Sequence, residues 1–217
     1  MQTMSFDDWV RAWFDHPEDW DWIREGEFPE LAPRDTLTYA TRLFQNAGML
    51  LAPYSDNQVG KGLHALIWEG DSPLTILWDK SLPRSECRAC LKSIYRVYKE
   101  IFAVRCPEVS QNKIKGELGH VCYMWWDIFP LFHTARRELN EAVLTTLERT
   151  LALPHLACQD AALHGLSHWE YADPARVQGM IRTFRIAQQM RQRRRRLSLV
   201  RRVRGWFCST MGTERQV

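Results

Sequence analysis

Arg84-Ser-Glu-Cys-Arg-Ala-Cys-Leu-Lys-Ser-Ile-Tyr-Arg-Val-Tyr-Lys-Glu-Ile-Phe-Ala-Val104 is the stretch whose reading decides the fold. Cys87, Cys90, Leu91, Ile94, Tyr95, Tyr98, Ile101 and Phe102 recur at steps of one, three and four, which puts them on one face of a helix. Arg88, Lys92, Arg96, Lys99 and Glu100 fall mostly on the other face, and Cys106-Pro107 stops the helix because proline lacks the amide proton. Working outward, the same period recurs. Ser5 caps a helix carrying Phe6, Trp9, Val10, Trp13 and Phe14, ended by His16-Pro17. Asp35 caps a second through Leu37, Ala40, Leu43, Phe44 and Ala47, ending near Gly48. Ser55 or Asp56 opens a third with Leu63, Leu66 and Ile67, closed by Gly70, and Ser72-Pro73 starts a short one through Leu74, Leu77 and Trp78. Beyond the central stretch, helices are expected over 117–129 with Pro130 as breaker, over 136–153, over 154–168, and from Asp173-Pro174 through Val177, Met180, Ile181 and Phe184.

No segment alternates with the period of two that a half-buried strand requires. The expected fold is therefore all-α, with eight to nine helices of roughly 12–20 residues packed as antiparallel pairs, in a stack or a helical bundle. Residues 1–190 are expected to form a single all-α domain, followed by an Arg-rich C-terminal tail over 191–217.

The chain has 217 residues, of which 45% are hydrophobic, 12% aromatic and 25% charged, a composition that excludes disorder throughout. Its 29 Lys and Arg against 26 Asp and Glu hide a gradient. Residues 1–30 hold nine acids and two bases, a net charge of −7, whereas residues 181–217 hold eleven Arg and one Glu, a net charge of +10. The acidic start does not read as a secretory signal, and no apolar run approaches the 18 residues of a membrane span, so a cytoplasmic protein is expected. Six cysteines in so apolar a chain are expected to stay reduced.

The run Leu151-Ala-Leu-Pro-His-Leu-Ala-Cys-Gln-Asp-Ala-Ala-Leu-His-Gly-Leu-Ser-His168 joins a helix, a proline turn and a second helix rich in small residues. It resembles one unit of a HEAT-like α-helical repeat, over residues 136–187. The resemblance implies a curved stack of helix pairs used mainly for binding. Cys122-Tyr-Met-Trp-Trp-Asp127 is the most unusual string: adjacent Trp125 and Trp126 point about 100° apart on a helix, so one can enter the core while the other lines a groove beside Asp127. An aromatic and carboxylate groove of this kind resembles that of the HEAT-like alkylpurine DNA glycosylases, which implies Asp127 as a catalytic candidate on a cationic damaged base.

Other chemistry-bearing patterns are incomplete. Cys87-Arg-Ala-Cys90 has CxxC spacing, but both sulfurs fall on the apolar face, where packing rather than redox exchange is expected. His164 and His168 stand one helical turn apart, as metal ligands do, with His155, Cys158, His120 and Cys122 as further donors, yet the Glu of an HExxH motif is missing. Packed or surface histidines and no cofactor are the expectation. Trp20 and Trp22, within the acidic aromatic arm of residues 1–30, can anchor a partner, and Arg193, Arg194, Arg195, Arg196, Arg201 and Arg202 can bind an anionic surface. The arm is also expected to neutralise the tail in part and gate what it binds. The reading that follows is a non-enzymatic helical repeat protein acting as a protein-interaction module or scaffold. The alternative is nucleic-acid binding through the tail, with glycosylase-like chemistry at Trp125, Trp126 and Asp127, and a zinc hydrolase built on His164 and His168 is a third.

Overall fold

The computed structural model describes residues 4–68, 72–109, 115–130 and 137–190. The described residues form helices joined by turns and irregular segments, with no strand among them. The helices are α1 (Phe6–Phe14), α2 (Trp22–Glu25), α3 (Pro33–Gln45), α4 (Ala47–Leu50), α5 (Asp56–Ile67), α6 (Arg84–Val97), α7 (Ala103–Arg105), α8 (Glu117–Ile128), α9 (Arg137–Leu151), α10 (Leu156–Trp169) and α11 (174–190). A 3-10 helix spans Pro73–Trp78 and a π-helical turn spans Tyr98–Phe102.

These eleven α-helices exceed the eight to nine expected. The excess comes from α2 and α4, of four residues each, and from the π-turn that separates α6 from the three-residue α7. One turn of helix is too short to display a period, and it persists only where tertiary packing holds it.

The caps follow the sequence closely. The Ser5 hydroxyl accepts from the Asp8 amide, and Ser55 forms a reciprocal capping box with Gln58. Ser72 accepts from Leu74 ahead of Pro73, and the Asp173 carboxylate accepts from the Arg176 amide ahead of Pro174. Two starts differ: α10 begins at Leu156, after His155, rather than at Pro154, and α3 begins at Pro33 rather than after Asp35, because proline at the first helical position loses no hydrogen bond. Asp35 then sits in the first turn, where its charge opposes the positive end of the helix dipole.

The chain divides into a unit of Met1–Val177 and a second beginning at Gln178. In the first, α3, α6 and α9 pack in series, and so do α5, α8 and α10. The α9 and α10 pair closes the circuit at one end, and α1 packs on α5 and touches α3 at the other. The face predicted on the central stretch points inward: Cys87, Cys90, Leu91, Ile94, Tyr98, Ile101 and Phe102 are buried, and Tyr95 is half-buried with the Arg149 guanidinium 3.8 Å above its ring. The π-turn adds a residue to the helical turn, and Tyr98, Ile101 and Phe102 are all buried, next to α8 and α10. There the Tyr98 hydroxyl donates to the Cys122 carbonyl at 3.0 Å.

Candidate functional site

Three groups of side chains outside simple core packing stand out in the first unit. The first is a cavity of about 500 Å³ between the acidic arm, α5 and the 3-10 helix. Trp13 stacks on Phe28 at 4.5 Å and 6°, and Trp22 meets Trp68 edge to face at 5.7 Å, so the walls are aromatic. Gly26 lets the arm turn tightly here, since a Cβ would crowd the Phe28 ring. Ile23 is 75% exposed and Trp68 39% exposed, leaving apolar surface at the mouth. Glu30 lines the cavity, and Glu25 and Glu27 are exposed beside it in sequence.

Of the two arm tryptophans expected to anchor a partner, Trp22 lines this cavity. Both are largely buried, Trp22 at 9% and Trp20 at 7% exposure, and Trp20 lies away from the cavity lining, stacked on His16 at 3.5 Å and edge to face with Phe28. Phe28 and Trp68 were not among the residues singled out from sequence. Neither lies in a periodic run, and only the fold of the arm over α5 brings them to Trp22.

The second group is His64, Glu117 and His120. The His64 Nδ1 donates to the Glu117 carboxylate across the α5 and α8 contact, and the His120 ring stands 5.4 Å from that of His64. This hydrogen bond holds the Glu117 carboxyl below its ordinary value of 4.5, and partial burial opposes the shift. A carboxyl lowered in the folded state stabilises the fold above the unfolded value and loses that contribution as pH falls through the folded one. Glu117→Gln is therefore expected to be less stable than the parent at neutral pH, with the difference shrinking below about pH 4.5. Urea unfolding from pH 7 down to pH 3 reads this; a constant difference would remove the pair as its cause.

The third group lies where α8 packs on α10. Tyr123 and Asp127, one turn apart on α8, face His164 and His168, one turn apart on α10. The Tyr123 ring stacks on His164 at 4.2 Å and 12°, and the Tyr123 carbonyl lies 3.2 Å from His164 Nδ1. His168 Nε2 is 3.1 Å from His164 Nε2 and 3.3 Å from Asp127 Oδ1. Asp127 and His168 are each about one-third exposed. The sequence placed these residues in two separate readings, a glycosylase-like acid and a histidine pair, and the fold joins them.

The tryptophans beside Asp127 do not divide between core and groove. Trp125 is 0% and Trp126 2% exposed. Both indoles turn inward because α8 is covered on two sides, by α5 and by α10, and Gly165 of α10 lets Trp126 approach closely. An aromatic groove flanking Asp127, as in the glycosylase resemblance, is thus not formed by these two side chains.

The remaining sulfur and nitrogen donors are apart from the histidine pair. Cys158 Sγ faces the Tyr98 carbonyl, His155 Nε2 the Cys106 carbonyl, and His120 stands beside His64. Cys87, Cys90, Cys106, Cys122 and Cys158 are buried thiols rather than disulfides, and burial pushes the Cys90 thiol up to about 12, opposite to what a reactive CxxC needs. Arg193, Arg194, Arg195, Arg196, Arg201 and Arg202 lie outside the described residues, as does whatever the tail makes with the acidic arm.

Among the described residues no helix is long and apolar enough to cross a membrane. The fold is that of an all-α protein. No family model, curated protein or solved structure matches the chain.

Proposed function

We propose that the chain is a short HEAT-like stack of helix pairs that works as a non-enzymatic protein-interaction module, and that its aromatic cavity receives a basic segment of a partner protein. The two series α3, α6, α9 and α5, α8, α10, joined where α9 packs on α10, support the stacked reading, because in a helical repeat each element contacts its counterpart in the next unit.

The observation that carries the binding role is the cavity itself. It combines aromatic walls, exposed Ile23 and Trp68 at its mouth, and an arm of net charge −7. Rigid aromatic anchors concentrate binding energy, and a field of one sign selects a partner of the other. The chemistry that fits is an aliphatic or aromatic side chain flanked by Lys or Arg.

Fluorescence anisotropy with labelled peptides tests this: a central Leu or Trp flanked by Arg and Lys, against the same peptide flanked by Asp and Glu. The basic-flanked peptide is expected to bind, weakening as salt rises, and Trp68→Ala to lose about tenfold in affinity or more. Trp68 is 39% exposed, so this variant is expected to unfold at nearly the parent temperature. Equal affinity for both peptides, or no loss on Trp68→Ala, would overturn the assignment. Duplex DNA is the parallel probe. Salt-dependent DNA binding that vanishes when Arg193 to Arg196 become Ala, with neither peptide bound, would place the function in the tail instead.

A further inference from the structure

We propose that Asp127, His164 and His168 form a binding site for a divalent transition-metal ion of the zinc type, bridging α8 and α10. The site shares no residue with the aromatic cavity, and its success or failure is independent of the protein-binding role.

One ligand atom from each residue converges, all within 4.8 Å of one another. Zinc bonds to nitrogen and oxygen of about 2.0–2.2 Å place neighbouring ligand atoms of a tetrahedral site roughly 3.3–3.5 Å apart. The 3.1 Å between the two Nε2 atoms and the 3.3 Å from His168 Nε2 to Asp127 Oδ1 are close to that edge length.

The tautomer of His164 is determined by its surroundings. A carbonyl oxygen only accepts, so His164 Nδ1 carries the proton that is donated to Tyr123, and in the neutral ring Nε2 presents a lone pair towards His168 and Asp127. A histidine whose second nitrogen donates to a backbone carbonyl is the arrangement that orients metal-ligating imidazoles. Tyr123, stacked against the same ring, fixes its plane. For the cation to bind at His168 Nε2, that nitrogen must present its lone pair and the ring proton must sit on Nδ1, so both imidazoles ligate as neutral groups.

Two imidazoles and a carboxylate, with no thiolate, suit zinc and its first-row neighbours better than calcium or magnesium, which prefer all-oxygen shells. Partial exposure of Asp127 and His168 leaves a solvent side for a water as fourth ligand. The spacing has a local origin: one turn on α8 and one turn on α10 match, and Gly165 brings the helices close enough for their side chains to meet.

The test uses the full-length chain, stripped of metal and titrated with Zn2+ by calorimetry and with Co2+ by visible absorption. One ion per chain is expected at this site, with the intense visible bands of four-coordinate Co2+. At a hundredfold excess of Zn2+ over the dissociation constant, the unfolding temperature is expected to rise by about 5–10 °C. Asp127→Asn and His168→Gln, on the solvent side, are each expected to weaken binding at least tenfold and abolish the Co2+ bands, whereas His120→Ala leaves them unchanged. His164→Ala is a further variant, and because His164 packs on Tyr123 the two solvent-side variants decide the outcome if it fails to fold. No heat, no bands and no thermal shift at millimolar Zn2+, or parental affinity in Asp127→Asn and His168→Gln, would overturn the site.

Discussion

Trp125→Ala is expected to cost about 3–5 kcal/mol, a large part of the 5–15 kcal/mol that a domain of this size has in total. The indole is 0% exposed and stands where three elements meet. Its ring lies 5.9 Å from that of Phe44 on α3, 6.1 Å from Tyr98 and 5.9 Å from Phe102 in the π-turn, and 6.2 Å from Phe129 just after α8. These neighbours belong to separate helices and cannot all collapse into the void, so the lost burial and the cavity add. Trp125→Phe is expected to cost much less, because its indole Nε1 has no hydrogen-bond partner and the benzyl ring keeps most of the contacts. Urea unfolding of the three proteins gives the comparison. Equal losses for the Ala and Phe variants would show that this site is not the centre of the core, and the partly exposed Trp68 supplies the contrasting small effect.

Gly60→Ala is the second large loss, and here two effects compete. Alanine in place of glycine inside a helix gains roughly 1 kcal/mol of propensity. Against this, a Cβ at Gly60 would sit 2.8 Å from the Glu117 carbonyl carbon and 2.9 Å from the Leu118 Cα, with the Leu118 amide nitrogen nearer still. All three are backbone atoms, so relief requires α8 to move away from α5 rather than a side chain to rotate. Overpacking of this kind costs about 1–3 kcal/mol and more when backbone must shift, so it outweighs the propensity gain. His64 stands one turn beyond Gly60, so the same displacement is expected to loosen its hydrogen bond to Glu117. A net loss of about 2–3 kcal/mol in chemical denaturation is the expected result. Gly179→Ala is the internal control: nothing lies within 4 Å of its Cβ position, so it is expected to be neutral or stabilising by up to about 1 kcal/mol. If both variants raised stability alike, the α5 and α8 backbones would not be in contact at Gly60.

How much was legible beforehand differs from residue to residue. The seven buried residues of the central stretch, the Ser5, Ser55, Ser72 and Asp173 caps and the proline stops follow from rules that act within one or two turns, and local rules are visible in a linear string. The four-residue helices α2 and α4 escaped because a single turn has no period. The burial of Trp126 escaped for a different reason. A face of mixed aromatic and polar residues does not say how many neighbours cover it, and α8 has α5 on one side and α10 on another. Trp20 was read as a partner anchor from its place among acidic residues, yet the chain folds it back onto His16 and Phe28.

The sequence by itself determined the class of secondary structure, most helix boundaries, the inward faces of α1, α3, α5 and α6, and the separation of negative from positive charge towards opposite ends of the chain. Tertiary structure alone decided which faces meet. It brought Asp127 to His164 and His168 across 37 residues of chain, set Trp68 and Phe28 beside Trp22, and put Gly60 against the Leu118 backbone. Hydrophobic periodicity states that a face must be buried, but the free energy of burial is nearly indifferent to which apolar surface covers it. The choice of partner face rests on close packing and on directional contacts between residues distant in sequence, and neither has a local signature.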